Sequence, residues 1–457
     1  MKTSPLLRRT LLALALLVGL PALLLFSQRE LIRNAAQGYL YGYPLVLTEI
    51  TRDNFSADMA PINRLMHVPR FPDAGFREIV RPNVDTLYSV AWLDLEQGPL
   101  VFELPATERY NVMQFLDAWT NVFASLGPRT TGNIAGRYLL VGPRWQGEVP
   151  KGFSLLRSPT RMAWLLGRVQ TNGPADYDRV HAIQAGISLT PLAQWRPGQV
   201  QASVAPPAKG RKSVPPLFQV RALDSRAFFQ RLAALMDDNP PPAADAPVLG
   251  QLAALGVEPG KPVAEWSWLQ RQAVNLGVWL AERGVRKAMA NPSNLQDGWR
   301  VPPMQVGRYG EDYGLRAAVA MAGFGANLAE DAIYPNAVQD GRGEDLQGGK
   351  RYRMHFAADA LPPVRAFWSL TVYDGDGFLV ANPLNRFALG DRDALAFNPD
   401  GSLDILLQAE APQGEGQANW LPIPHEGVFS VTGRLYWPKA EILDGRWRMP
   451  PVQMQAD

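Results

Sequence analysis

The sequence contains no cysteine. A chain without cysteine forms no disulfide and offers neither a thiol nucleophile nor a thiolate ligand for a metal. Histidine is also scarce, because 457 residues include four widely separated histidines: His67, His181, His355 and His425. No H-E-x-x-H motif occurs, so a histidine-rich metal site is not expected. We therefore predict that the protein works without a metal or another cofactor.

Motifs of several common enzyme classes are missing as well. The sequence has no G-x-S-x-G elbow, no S-x-x-K pair and no Walker loop. Ser125 lies in the run FASLG, which lacks the first glycine of the elbow. The run DGDG at residues 374–377 lacks the regular oxygen ligands of a calcium loop and is typical of a β-turn. These absences argue against serine hydrolases, penicillin-binding proteins and nucleotide hydrolases.

The charges do not point to a nucleic-acid partner. Lys plus Arg total 45 and Asp plus Glu total 43, which leaves a formal net charge of +2. A domain that binds nucleic acid usually shows a clear basic excess. We therefore expect no nucleic-acid partner.

The N-terminus carries the clearest targeting signal. Lys2, Arg8 and Arg9 precede an apolar run from Leu11 to Phe26. A basic start followed by an apolar run is the layout of a secretory signal. Residues 1–27 are therefore predicted to be a signal peptide or, if uncleaved, a signal anchor that tethers the protein to the inner membrane. Either alternative places the body of the protein in the periplasm or cell envelope.

The pattern of apolar residues predicts an α+β protein. From residue 71 to 168, short apolar runs alternate with Gly, Pro and Asn clusters, which is typical of a β-sandwich or barrel. Helical patterns occupy the middle of the chain, with Val263 to Ala290 the longest and Leu315 to Leu328 the last. From residue 351 onward the period is two again. We predict two β-rich, sandwich or jelly-roll-like domains joined by a helical middle segment.

The predicted boundaries follow these changes in pattern. Residues 1–27 form the export segment, 28–196 the N-terminal β-rich domain, 197–349 the linker and helical middle segment, and 350–457 the C-terminal β-sandwich domain. Residues 197–216 are predicted to be a linker because they are rich in proline and poor in apolar side chains. A helix is predicted from Ser27 to Tyr43, with an interruption at Pro44 after which Leu45 to Ile50 resume the helical pattern.

Polar side chains are concentrated directly before one strand-like stretch, in the run VRPNVDTLYSVAWLDL at residues 80–95. Arg81, Asn83 and Asp85 fall at i, i+2 and i+4, so their side chains would share one face of an extended segment. Pro82 favours that extended conformation for Arg81. A donor, an amide and a carboxylate on one face suit the binding of a polar ligand.

A second polar cluster, DAWTN at residues 117–121, ends the strand-like run that starts at Asn111. Asp85 and Asp117 are the candidate catalytic residues, because acid–base chemistry needs a carboxylate whose pKa is tuned by its surroundings. The candidate ligand-binding residues are Arg81, Asn83, Asp85, Tyr88, Trp119, Asn121, Arg129, Arg168, Asn385, Arg386 and Trp420. The alternative is structural: buried Asp and Arg side chains commonly pair or satisfy loop backbone, and aromatic residues commonly belong to the core.

Several long runs resemble known bacterial families. VRPNVDTLYSVAWLDL, LDAWTNVFASLGPRTTG and GRVQTNGPADYDRVHAIQ are similar to domain of unknown function 1254. FWSLTVYDGDGFLVANPLNRFALGDRD, NPDGSLDILLQ, NWLPIP and GRLYWPKAEILDGRW are similar to its usual C-terminal companion, domain of unknown function 1214. The resemblance covers about residues 38–196 and 350–452, and implies two β-rich domains joined by helices in an exported protein. It implies no activity.

Two functions from different classes remain open. In the first, the protein holds a small polar molecule or a glycan in a cleft between its β-rich domains. In the second, it is an envelope hydrolase or lyase that uses Asp85 or Asp117 as the acid or base and arginines to bind negative charge. Two carboxylates facing one open cleft would favour catalysis, whereas Asp–Arg pairs buried under loops would favour a scaffold.

Overall fold

The computed structural model describes residues 27–77, 80–207, 213–291 and 295–455. The predicted export segment lies outside the described residues except for its last position, Ser27. Among the residues that are described, no helix combines the length and the apolar character needed to cross a membrane.

Most of the described helices lie between residues 216 and 322, and the strands lie in the ranges 66–191 and 295–454. The helices are α1 (Arg29–Asp58), α2 (Tyr177–Ala185), α3 (Pro216–Ala222), α4 (Ser225–Asp238), α5 (Ala246–Ala254), α6 (Trp268–Ala290), α7 (Tyr313–Ala322) and α8 (Ala440–Leu443). The N-terminal strands are β1 (Met66–His67), β2 (Thr86–Asp94), β3 (Leu100–Leu104), β4 (Asn111–Asp117), β5 (Val122–Leu126), β6 (Gly136–Val141), β7 (Ser154–Arg157), β8 (Met162–Gln170) and β9 (Ser188–Pro191). The later strands are β10 (Leu295–Gln296), β11 (Trp299–Arg300), β12 (Ala332–Ile333), β13 (Asn336–Ala337), β14 (Tyr352–Phe356), β15 (Val364–Asp374), β16 (Ala388–Gly390), β17 (Leu403–Gln408), β18 (Trp420–Pro422), β19 (Phe429–Pro438) and β20 (Gln453–Met454). This arrangement confirms the predicted α+β class with a helical middle segment.

The described residues divide into two compact units. The helical unit comprises the described residues up to 51, with 216–291 and 309–324. The β-rich unit comprises the described residues within 52–215, 292–308 and 325–457, so the N-terminal and C-terminal β-rich domains belong to one unit. A contact between these two domains is therefore a contact inside a single compact body.

The N-terminal strands pack as two sheets around one core. Neighbouring strands follow the order β1-β2-β8-β4-β5 in one sheet and β7-β6-β3-β9 in the other. Because side chains alternate along a strand, Leu87 and Phe115 of the first sheet pack inward with Phe102 of the second. The opposite face of the first sheet carries Tyr88 and Arg168, which are direct cross-strand neighbours on β2 and β8.

The C-terminal strands also form two sheets around a core. One sheet has the order β10-β11-β13-β19-β15-β16, with β12 also paired to β19, and the other has the order β18-β17-β14-β20. Leu370 of β15 and Val431 of β19 pack into this core with Ile405 of the second sheet. Strands β15 and β19 are antiparallel neighbours, and alternation directs their intervening residues away from the core.

Helix α1 differs from its sequence-based prediction, because it continues through Pro44 to Asp58. Proline removes one backbone donor and crowds the preceding turn. Tyr43, Leu45 and Val46 beside it are all buried, at 1%, 0% and 0% exposed. The burial of these side chains outweighs the local cost of the proline, and the predicted interruption is wrong.

Helices α1 and α6 approach each other closely in the helical unit. Tyr39 of α1 donates a hydrogen bond of 2.7 Å to Glu282 of α6. A methyl group at Gly277 of α6 would lie 2.4 Å from the carbonyl oxygen of Ile32 and 2.8 Å from the Cβ atom of Ala35. The close approach of the two helices therefore depends on the absence of a side chain at Gly277.

We predict opposite effects for two glycine-to-alanine changes on α6. Gly277→Ala should lower the free energy of unfolding by about 1–3 kcal/mol, because backbone must shift to admit the methyl group. Gly284→Ala on the same helix is the control, since its added methyl group meets no atom of the described residues within 4 Å beyond its chain neighbours and its own helix backbone. Gly284→Ala should raise the free energy of unfolding by about 0.4–1 kcal/mol. Urea denaturation measures both, and equal shifts would contradict the predicted helix contact.

Candidate functional site

Strands β15 and β19 carry a polar face on the side away from their core. Ser369, Thr371 and Tyr373 alternate along β15, and Ser430, Thr432, Arg434 and Tyr436 alternate along β19. All seven residues are at least nine-tenths buried. A buried face with this many hydrogen-bonding groups requires partners from another part of the chain. The N-terminal domain supplies them.

The loop before β2 reaches this face, although its conformation is not the predicted extended one. Arg81 has a φ of 52°, and the side-chain oxygen of Asn83 accepts hydrogen bonds from the backbone of Asp85 and Thr86 at 2.7 and 3.0 Å. This is a turn, so the predicted extended conformation of Arg81, Asn83 and Asp85 is wrong, and strand alternation does not determine where their side chains point. Arg81 nevertheless donates to Ser430 and Thr432, and Asn83 donates to Tyr436 at 2.9 Å.

Asp85 is fully buried and ion-paired. The guanidinium group of Arg392, which follows β16, pairs with one carboxylate oxygen. Ser369 donates to the other oxygen at 2.7 Å, and Tyr436 lies 3.5 Å from it. Arg392 also donates to the carbonyl oxygens of Asp85 and Thr171, at 3.2 and 2.6 Å. Asp85 is therefore a buried link between the two β-rich domains and does not face an open cleft.

Arg434 lies at the centre of the polar face. It donates to Thr371 at 2.6 Å and to the phenol oxygen of Tyr373, which in turn donates to the carbonyl oxygen of Pro82 at 2.7 Å. Burial alone would lower the pKa of Arg434, but Tyr373, Tyr436 and Asp85 raise it on balance. Burial raises the pKa of Tyr436 well above its usual range. The arginine is therefore charged and the phenol is a neutral donor.

Arg168 is the buried arginine that the N-terminal domain contributes to this contact. It is 5% exposed and donates to the side-chain oxygen of Asn327 at 2.6 Å and to the carbonyl oxygen of Gly325 at 3.1 Å. Its guanidinium carbon lies 5.1 Å from the centre of the Tyr88 ring. Asn327 donates to the phenol oxygen of Tyr334. The segment after α7 therefore connects Arg168 to the C-terminal domain.

We call this contact region the polar seam. It consists of Arg81, Asn83, Asp85, Tyr88, Arg168, Asn327, Tyr334, Asn336, Ser369, Thr371, Tyr373, Arg392, Ser430, Thr432, Arg434 and Tyr436. The seam has a buried floor and an accessible rim. Arg81 is exposed, and Asn83, Tyr88, Tyr334 and Asn336 are half-buried. Their positions make the rim a place where a molecule in solution can reach polar side chains.

The second predicted cluster stabilises its own loop. One carboxylate oxygen of Asp117 accepts hydrogen bonds from the backbone of Trp119 and Asn121 at 2.9 and 2.8 Å, and the Asn121 amide donates to the other at 3.0 Å. Thr120 has a φ of 69°, which such bonds hold in place. Trp119 is fully buried. Asp117 is 5% exposed, so it does not present a free carboxylate to a cleft.

The remaining candidates lie in other arrangements. Arg129 forms a two-pronged ion pair with Asp331, at 2.6 and 3.0 Å, and Ser125 donates to the same carboxylate at 2.6 Å. Asn385 has a φ of 48° in the loop before β16, and Arg386 donates to the carbonyl oxygen of Trp420 at 2.9 Å. These contacts bind Asn385, Arg386 and Trp420 into the C-terminal domain.

The seam residues that sequence reasoning missed come mostly from β19 and the segment 325–337. Arg434 in the middle of an apolar strand was a usable signal, because an arginine that alternates with core residues must find polar partners. The same period places Ser430, Thr432 and Tyr436 on its face. Asn327 and Tyr334 gave no such signal, since the sequence pattern extended the last helix to Leu328 and the structure ends α7 at Ala322.

One solved structure supports the same architecture. A crystal structure of the VPA0106 protein from Vibrio parahaemolyticus aligns with a TM-score of 0.70 at 22% sequence identity, over 93% of this chain and 100% of that chain. This likeness shows the fold alone. An uncharacterized protein from Burkholderia cenocepacia aligns with a TM-score of 0.43 at 13% identity, over 97% of this chain and 98% of that chain. No curated protein matches the chain.

The fold and the seam together define an α+β protein whose two β-rich domains share a buried polar contact. Residues 62–191 match the family described as Protein of unknown function (DUF1254). Residues 331–440 match the family described as Protein of unknown function (DUF1214). The chain is thus a tandem protein of these two families, with DUF1254 followed by DUF1214, which confirms the resemblance seen in the sequence. Neither description names an activity.

We predict that Asp85→Asn destabilises the protein strongly. The change keeps the shape of the side chain but leaves the buried Arg392 without its counter-charge, and breaking such a pair costs roughly 3–5 kcal/mol. Chemical denaturation measures the loss. Glu96→Gln, in the exposed pair with Arg144, is the matched control and should change stability by less than about 1 kcal/mol. A loss for Asp85→Asn as small as for the control would show that the pair does not hold the domains.

Proposed function

We propose that this protein is an exported envelope protein that binds a small polar molecule or a glycan at the rim of the polar seam. The observation that carries the proposal is the pairing of accessible and buried polar groups. Tyr88, Asn83 and Tyr334 are half-buried at the rim, directly above the buried side chains of Arg168 and Tyr436. Binding sites for small molecules commonly combine aromatic surface with a few positioned polar groups.

The chemistry of the two carboxylates favours binding over catalysis. A general acid or base must exchange its proton with a substrate within hydrogen-bond reach. Arg392 and Ser369 occupy the oxygens of Asp85, and loop amides occupy those of Asp117. A hydrolase or lyase that used either carboxylate would have to break these contacts first. We therefore prefer the binding function to the enzymatic alternative.

The tyrosines at the seam suit recognition of hydroxyl groups. Burial raises the pKa of Tyr334 to about 12, although Arg168 acts in the opposite direction. A phenol that stays protonated can donate a hydrogen bond to a hydroxyl oxygen, and its ring can stack on the apolar face of a sugar. Tyr88 is accessible, and its ring lies against Arg168, which holds it in place.

The proposed location in the envelope is tested first. A fusion of residues 1–35 to a reporter that is active only in the periplasm should be active, because residues 1–27 combine a basic start with an apolar run. The same fusion without residues 1–26 is the control and should be silent. A full fusion that is stably made and silent would overturn the proposed export.

The proposed binding is tested by melting the full-length protein against a panel of polar metabolites and oligosaccharides. A ligand at about 100 times its dissociation constant should add about 2.7 kcal/mol of stability. Tyr88→Phe removes one accessible hydroxyl and should reduce the shift while leaving the unliganded protein stable. Tyr138→Phe, on β6 of the N-terminal core, is the control and should retain the full shift. A shift that survives Tyr88→Phe undiminished, or a panel without any shift, would contradict binding at the rim.

A further inference from the structure

Of the four arginines in the seam, one has a carboxylate partner and three do not. Arg392 pairs with Asp85, whereas Arg81, Arg168 and Arg434 contact neutral groups. Among the described residues, no carboxylate lies within salt-bridge distance of these three guanidinium groups. The seam therefore contains more positive than negative charge.

Arg81 and Arg434 are neighbours, and Tyr334 and Asn327 connect them to Arg168. The guanidinium carbons of Arg81 and Arg434 each lie 5.7 Å from the centre of the Tyr373 ring, and Arg434 donates to the carbonyl oxygen of Arg81 at 3.4 Å. The guanidinium carbon of Arg434 lies 6.0 Å from the ring of Tyr334. Tyr334 in turn accepts a hydrogen bond from Asn327, the partner of Arg168. The cations therefore form one connected group.

The carboxylate of Asp85 is near enough to raise the pKa of Arg434, but it is already paired with Arg392, so one negative charge serves several cations. Arg168 and Arg434 are each 5% exposed, and a buried cation without a carboxylate or another anion loses hydration that neutral partners restore in part. The Nε atom of Arg168 is buried and has no hydrogen-bond partner among the described residues. Arg81 is exposed as a whole residue, but its guanidinium group lies against Ser430 and Thr432, and this loss of hydration lowers its pKa. The positive charges of Arg434 and Arg300 lower the pKa further, against the effect of Tyr373. An anion at the rim would relieve each of these costs.

We propose that the ligand of the polar seam is a small oxyanion, a metabolite whose carboxylate or phosphate group is bound by Arg81, Arg168 and Arg434. This inference rests on the proposed binding function of the same seam and narrows its ligand class. A guanidinium fork matches the spacing of carboxylate and phosphate oxygens, and charge-assisted hydrogen bonds are the stronger ones. The hydroxyl group of Tyr88, which is half-buried at the rim, is a further donor beside them. Arg81 is exposed and provides the point of entry.

The test uses the full-length chain in mild detergent and isothermal titration with inorganic phosphate, with succinate and with the neutral sugar N-acetylglucosamine, at constant ionic strength. Titration is preferred to melting because phosphate stabilises folded proteins by exclusion from their surface as well as by binding. Phosphate or succinate should bind, and the tighter of the two identifies the preferred oxyanion. The sugar should bind at least about tenfold more weakly, since it lacks the charge that the arginines require.

Two neighbouring arginines provide matched variants. Arg81→Gln should weaken oxyanion binding about tenfold or more, because it removes one charge-assisted contact. Arg77→Gln is the control, since Arg77 lies four residues earlier and has a carboxylate partner in Asp374. It should bind like the wild type. Arg81→Gln also removes the hydrogen bonds to Ser430 and Thr432, so the free energy of unfolding of both variants is measured by urea denaturation to confirm that each is folded during the titration.

Each outcome decides between the two proposals. Oxyanion binding that falls in Arg81→Gln and persists in Arg77→Gln supports both. Binding of the neutral sugar that falls in Tyr88→Phe, without oxyanion binding, would overturn the oxyanion inference and keep the binding function. Oxyanion binding that is equal in the two arginine variants would place the anion elsewhere and overturn the inference. The absence of any binding to phosphate, succinate or sugar would overturn the inference, and the panel then decides the binding function.

Discussion

The ion pair between Asp85 and Arg392 is the contact on which the β-rich unit depends. Asp85 immediately precedes β2, and Arg392 immediately follows β16, so the pair connects the two β-rich domains at the ends of two strands. Arg392 also donates to the carbonyl oxygen of Thr171, just after β8. The guanidinium group of Arg392 thereby provides hydrogen bonds both to backbone carbonyl oxygens and to a side-chain carboxylate of the N-terminal domain. A buried pair with such additional hydrogen bonds specifies one relative position of its partners better than apolar packing does.

The rest of the seam follows from the need to satisfy a buried polar face. Strands β15 and β19 are buried on both sides, and one side is apolar while the other carries hydroxyl groups, two phenols and a guanidinium group. An apolar surface would accept many packing arrangements, whereas hydrogen bonds accept few. The loop at Arg81 and Asn83 and the segment at Asn327 and Tyr334 provide the partners. The side chains that join the two β-rich domains are therefore the ones at which we propose that a ligand binds.

The sequence predicted the architecture well because periodic patterns are local. Alternation identified β2, β15 and β19, and the helical period identified α6, since each pattern reports which side of an element is buried. The sequence also predicted Arg81, Asn83, Asp85, Tyr88 and Arg168 as candidates, and the structure places all five in one seam. It did not reveal their partners. Arg392 and Ser369 lie about 300 residues away from Asp85 along the chain, and no local pattern encodes such a contact.

The same limit explains why Asp117 and Asp85 looked alike in the sequence. Both are carboxylates at the end of a strand-like run, but Asp117 caps its own loop through residues 119–121, whereas Asp85 finds its partners in the other domain. A short-range carboxylate contact stabilises a turn, and a long-range one positions a domain. The unbalanced arginines extend this reasoning. Asp85 is already paired with Arg392, whereas Arg81, Arg168 and Arg434 have neutral partners among the described residues, so the seam carries a surplus of positive charge. The oxyanion that we propose would balance this surplus from the rim beside Arg81.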